Sequence, residues 1–137
     1  MSGFTCGVWL GRRGRGLVAV VVDEEGRAQP PLRFDRDRDA VWELLASIDN
    51  SVGLDWELVL PDWLARQSSL ASFALERGNS VWLVPPPVLD TVRVVANLAT
   101  SPPARTAAAL ARLPLASALR TCLRRLDPPE QNQLPLF

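Results

Sequence analysis

The run LVAVVV at 17–22, within LVAVVVDEEG, constrains the fold more than any other feature of the chain. Successive side chains of a strand point to opposite faces, so a strand with one wet face alternates apolar and polar residues. This run has no polar position, and four of its six residues are valine. It predicts a central strand buried on both faces, and therefore a sheet covered on both sides. Turn signals bracket it. RRGRG precedes it, with Gly14 and Gly16 suited to positive φ, and Asp23-Glu24-Glu25-Gly26 follows.

The flanking segments extend the sheet. FTCGVWLG (4–11) reads as a first strand and RAQPPLRFD (27–35) as a third. Pro30 and Pro31 cannot donate to a ladder, which places the third strand at an edge. The period then changes. DRDRDAVWELLASID (35–49) spaces Val41, Leu44, Leu45 and Ile48 as one helical face, with Asp35 and Asp37 as capping candidates. WELVLP (56–61) is a short strand. DWLARQSSLASFALERG is one helix from Asp62, its N-cap, to Gly78 beyond its end. SVWLVP (80–85) is a further buried strand. A helix follows from the Pro85-Pro86-Pro87 run to about Asn97, and another from SPP (101–103) to about Leu113. Pro114 breaks it, and a last helix runs to about Leu126.

The order β-β-β-α-β-α-β-α-α-α implies an α/β fold with a mixed five-stranded sheet. Three antiparallel strands come first, and two parallel βα units join by right-handed crossovers. At 137 residues, 47% hydrophobic and 22% charged, the chain is expected to form one globular domain over 1–126, with a tail at 127–137.

Composition removes several chemistries. There is no histidine, and Cys6 and Cys122 are far apart. Cys/His metal sites and Ser-His-Asp or Cys-His catalysis are excluded, and no cofactor is implied. No apolar run approaches the ~20 residues of a membrane span. The arginines near the N-terminus follow the apolar stretch rather than precede it, so a signal peptide is not expected and the compartment implied is the cytoplasm. Charge sums to zero but is uneven: nine Arg face thirteen acids in 1–90, and six Arg face two acids in 91–137.

The segments GVWLGRRGRGLVAVVVDEEGR and ELVLPDWLARQSSLASFALERGNSVWLVPPPVLDTVRVVANLATSPPARTAAALARL, with this element order, resemble the ribonuclease H-like fold. They are similar to the RuvC-like domain of transposases of the Asp-Glu-Asp-Asp type, over about residues 5–113. That resemblance implies nucleic-acid cleavage by two divalent metals held by clustered carboxylates. It also places the family's acidic positions on Trp9, Pro61 (one residue before Asp62), Pro103 and Thr106. None of these four can serve as a carboxylate ligand. The resemblance thus implies the scaffold without its metal centre. A divergent nuclease or resolvase using Asp23, Asp62 and Asp90 is one alternative. Another is a structural subunit pairing through the amphipathic ARTAAALARLPLASALRTCLRRL segment.

The five tryptophans, Trp9, Trp42, Trp56, Trp63 and Trp82, sit in or beside apolar runs and are expected in the core. Arg12, Arg13 and Arg15 crowd the first hairpin turn as candidate phosphate or partner contacts. Arg120, Arg124 and Arg125 are further candidates near the C-terminus, with Arg120 and Arg124 on one helix face.

The last five residues are QLPLF. This peptide is similar to the short motif by which bacterial replication and repair proteins dock on the DNA polymerase sliding clamp, its beta subunit. Gln133, Leu134, Leu136 and Phe137 match the defining positions, and Pro135 restricts the chain and lowers the entropy lost on docking. The preceding DPPEQN is a proline-bearing polar spacer. The resemblance implies a non-catalytic adaptor in DNA replication, repair or mobile-element maintenance. DNA and another replication or repair protein are its further candidate partners.

Overall fold

The computed structural model describes residues 3–12, 15–95 and 102–126, the side chains of 93–95 and 117 excepted. Its centre is a six-stranded mixed sheet of order β3-β2-β1-β4-β5-β6. The strands are β1 Phe4–Leu10, β2 Leu17–Val22, β3 Leu32–Phe34, β4 Trp56–Pro61, β5 Ser80–Val84 and β6 Arg124–Leu126. β1, β2 and β3 pair antiparallel, and β4 and β5 add parallel to β1. β2 is buried at every position, as its uniform apolarity requires.

The two faces of the sheet are covered by different helices. One face carries α1 (Arg38–Val52), α2 (Asp62–Gln67) and α3 (Leu70–Glu76). Cys6, Val8, Leu17, Leu58 and Leu60 meet Val41, Leu45, Ile48, Leu70 and Phe73 there. The other face carries α4 (Pro86–Val95) and α5 (Pro103–Arg112), with Val20, Val22, Val59 and Val84 packed among Leu89, Ala107, Leu110 and Ala111. Asp37 rather than Asp35 caps α1, accepting from the amide of Ala40 at 2.9 Å.

Gly7 sets the depth at which α5 docks. A Cβ there would lie 2.0 Å from the carbonyl oxygen of Ala107 and 2.6 Å from the amide nitrogen of Ala111. The backbone of α5 rests on the bare Cα of β1, and the small Ala107, Ala108 and Ala111 line the contact.

The structure corrects the expected elements in several places. The sheet has six strands, not five. The last helix, α6 (Ser117–Arg120), stops well short of Leu126, and Arg124–Leu126 instead pairs antiparallel with β5. Without β6, the ladder groups of β5 would face water on that side, so long-range pairing overrides the local helical pattern. Arg120 and Arg124 therefore do not share a helix face. The single helix expected over 62–78 is two, because Ser68 is extended (φ −136°, ψ 160°) and turns its hydroxyl back to the Leu64 carbonyl at 3.1 Å. Asp62 is the first residue of α2, not its cap; Pro61 holds that position. The third strand shrinks to Leu32–Phe34, with one bridge between Val22 and Ala28, since Pro30 and Pro31 interrupt the ladder. Asn97, the expected end of α4, lies outside the described residues. Among the described residues no helix is long and apolar enough to cross a membrane.

Candidate functional site

β1, β4 and β5 are parallel, so their C-terminal ends share one edge of the molecule, the usual ligand side of open α/β sheets. Gly7 pairs with Val59, and Trp9 and Pro61 lie two residues further along their strands. Thr106 is buried on α5, which covers β1. Trp9, Pro61 and Thr106 thus fall where β1 and β4 end beneath α5, an end filled largely by apolar groups, while Pro103 starts α5 itself. Trp9 packs against the cluster of Val20, Val22, Ala107, Ala108 and Ala111. Its ring meets Trp63, from the first turn of α2, edge to face at 5.7 Å and 78°. Hard cations need several oxygen ligands, and this end offers indoles.

The acids of the nuclease alternative do not converge. Asp23 closes β2 at the opposite end of the sheet from Asp62. It accepts from the amides of Glu25 and Arg27, each at 2.9 Å. The Arg27 amide chiefly holds its carboxyl below the ordinary value, as a turn-forming aspartate requires. Asp62 is paired with Arg66 at 2.5 Å, one helical turn on. Asp90 is exposed on α4. Among the described residues no three His, Cys, Asp or Glu side chains form a group able to hold a metal ion.

No protein-family model matches the chain, and no curated protein matches it either.

At the same end, the β1–β2 turn opens into a groove of about 500 Å³. It is lined by Arg12 and Arg15 from the turn, Arg33, Phe34 and Asp35 from the end of β3, and Pro102 and Pro103 from the start of α5. Glycine builds the turn. The Gly11 amide donates to the Gly16 carbonyl at 3.1 Å, and that of Arg15 to the Arg12 carbonyl at 3.1 Å. Gly16 takes φ +64°, and a Cβ there would lie 2.7 Å from the Phe34 carbonyl oxygen. The turn is thereby held against β3, which brings Arg33 beside Arg12 and Arg15. Arg13 lies outside the described residues.

Most other described arginines already have internal work. Arg77 pairs with Asp49, Arg112 donates to the Gly26 carbonyl at 2.8 Å, and Arg27 pairs with Glu25 at 2.8 Å. The C-terminal candidates serve the fold as well. Arg120 lies 4.9 Å over the Trp82 ring and 4.0 Å from Glu57. Arg125 lies 5.9 Å over the same ring and donates to the Ser80 hydroxyl at 3.2 Å. Trp82 in turn donates its indole N–H to Glu57 at 2.6 Å. Arg124 lines a separate, smaller cavity with Asp62 and Arg66.

Sequence reasoning missed Arg33 and Trp63 as members of this end. The signal for Arg33 was present in LRF, where the middle residue alternates to the exposed face. The tryptophan expectation holds fully for Trp56 and Trp82, which are buried, and for Trp9 and Trp63 in part. Trp42 corrects it. It lies on the exposed side of α1, stacked on Phe73 at 4.6 Å. The clamp-type peptide at 133–137 lies outside the described residues.

Proposed function

We propose that this protein is a non-catalytic adaptor that docks on the bacterial DNA polymerase sliding clamp through Gln133, Leu134, Pro135, Leu136 and Phe137, acting in replication, repair or mobile-element maintenance. The observation that carries this reading is the match of QLPLF to the clamp-docking pattern at all four defining positions. Gln133 offers an amide donor and acceptor to a pocket rim, and Leu134, Leu136 and Phe137 are apolar anchors for adjoining pockets.

We also read the body as a ribonuclease H-like domain. The support is its arrangement: three antiparallel strands on one side of the sheet, two parallel βα units on the other, and helices on both faces. The tryptophan-filled end of β1 and β4 favours a body that binds rather than cuts.

The test is capture of the intact chain by purified clamp, against the Gln133→Ala/Phe137→Ala variant, with melting curves for both. Capture is expected to fall at least tenfold while the melting temperature stays unchanged. Undiminished capture sinks the clamp reading. A lowered melting temperature shows instead that the peptide belongs to the chain's own core.

A further inference from the structure

We infer that the groove between the β1–β2 turn, the end of β3 and the start of α5 is a binding site for phosphate esters, gripped by Arg12, Arg15 and Arg33. The inference is independent of the tail and goes beyond clamp docking.

Three observations carry it. First, three arginines from two separate segments line one groove. Like charges repel, and nothing in the folding of the sheet requires them to gather. Among the described lining residues Asp35 is the only acid against three arginines, so two positive charges are left over.

Second, these arginines are unemployed. Among the described residues, the side chains of Arg12, Arg15 and Arg33 make no ion pair or hydrogen bond, whereas Arg27, Arg66, Arg77, Arg112, Arg120 and Arg125 all do. A guanidinium presents a planar fork of donors matched to a phosphate's oxygens, and two or three forks from different directions enclose a tetrahedral anion better than a planar carboxylate.

Third, the site is held rather than loose. The glycine-built turn cannot spread without losing its two backbone bonds, and Gly16 seats it on the Phe34 carbonyl. α5 is fixed by its close approach to Gly7, so Pro102 and Pro103 form a stiff wall, and α5 turns its positive dipole end toward the groove. Phe34, partly exposed at the end of β3, gives an apolar surface for a base or sugar beside the phosphate.

The site meets the four positions implied by the resemblance only at Pro103; Trp9, Pro61 and Thr106 do not line it. The Trp9–Trp63 contact lies at the ends of β1 and β4, whereas the groove lies on the β1–β2–β3 side. Binding there needs neither a metal nor a catalytic acid.

Phosphate esters come from two sources, a nucleic-acid strand or a free nucleotide, and the test separates them. The full chain is titrated at low salt with a fluorescent single-stranded oligonucleotide, with a nucleoside triphosphate, and with a glutamate peptide of matched charge. Arg33→Gln and the Arg12→Gln/Arg15→Gln/Arg33→Gln triple variant are compared; all three positions are exposed, so both are expected to fold. One phosphate probe is expected to bind, about tenfold more weakly to Arg33→Gln and at least thirtyfold more weakly to the triple variant. If the strand binds, removing three phosphate contacts is expected to flatten the slope of log K against log salt by about 2. Tighter binding of the strand assigns the groove to nucleic acid, and tighter binding of the triphosphate assigns it to nucleotides; either supports the site. Binding of neither, an unchanged affinity in the triple variant, or equal binding of the glutamate peptide overturns it. The clamp assay on the same triple variant keeps the two proposals apart, since the tail is intact there.

Discussion

Gly7→Ala tests how the sheet and α5 are fitted together. The added Cβ would sit 2.0 Å from the Ala107 oxygen and 2.6 Å from the Ala111 nitrogen, and real Cβ atoms essentially never come within 3.0 Å of such neighbours. Both atoms are helix backbone, so no rotamer change relieves the clash. α5 has to lift by about 1 Å, the difference between 2.0 and 3.0 Å. A radial gap of ~0.5–1 Å forfeits a quarter to a half of each dispersion contact. The face that would lose contact includes Thr106, Ala107, Ala108, Leu110 and Ala111, all buried. Overpacking of this kind costs about 3 kcal/mol, the upper end of the usual range, because the obstacle is rigid. For a domain of this size that is a fall of about 10–15 °C in Tm. Urea and thermal unfolding followed by circular dichroism measure it. Gly3→Ala is the control: its new Cβ would meet the flexible carboxylate end of Glu24 at 2.8 Å, which can swing aside, so a change within about 0.5 kcal/mol is expected. A Gly7→Ala loss below about 1 kcal/mol, with an unchanged m value, would show that α5 is not seated on the Gly7 backbone.

Two further outcomes follow from the core and from its buried charge. Cys6 is fully buried and its thiol is pushed up to about 12 by desolvation, while Cys122 is exposed. A disulfide-exchange reagent at pH 8 should titrate one thiol in the folded chain and two in denaturant. Above the ordinary thiol value of 9.0 the unfolded chain loses a proton the folded chain keeps, so this group's contribution to stability falls as pH rises. Two equally fast thiols in the folded chain would contradict the burial. Asp49 accepts the Trp56 indole N–H at 2.9 Å and pairs with Arg77, whose pKa burial pulls down. Asp49→Ala strands both partners and is expected to cost about 2–3 kcal/mol in urea unfolding, less than a fully buried pair because the two side chains are 16% and 18% exposed. A loss within experimental error would mean that water already satisfies the site.

What the sequence disclosed divides along local and non-local lines. Val18 to Val22 reported their two-sided burial directly, because a strand's period is written in adjacent residues. Asp37 as the α1 cap and Gly78 beyond α3, at φ +89°, were also local signals. β6 was hidden because Arg124-Arg125-Leu126 has no strand signature of its own. It becomes a strand through the open edge of β5 and through the Trp82 ring, over which Arg120 and Arg125 lie. The groove was half legible. Arg12 and Arg15 crowd a turn in plain view, but Arg33 joins them only through the β2–β3 register, in which Arg33 faces Val18. The Trp9–Trp63 contact joins residues on different elements, which no spacing rule connects.

The two edges of the sheet bear on where a ligand would sit on the body. β3 is three residues long and follows Pro30 and Pro31; β6 is three residues long and carries exposed Arg124 and Arg125. Short, charged or proline-flanked edges resist pairing with other strands. Two residues past Leu126 the sequence reads Pro128-Pro129, which have no N–H to donate to a ladder. The arginine groove opens where the β1–β2 turn and β3 end, on the opposite side of the sheet from β6. A ligand in the groove would therefore sit at the β3 edge and leave β6, with its exposed Arg124 and Arg125, uncovered.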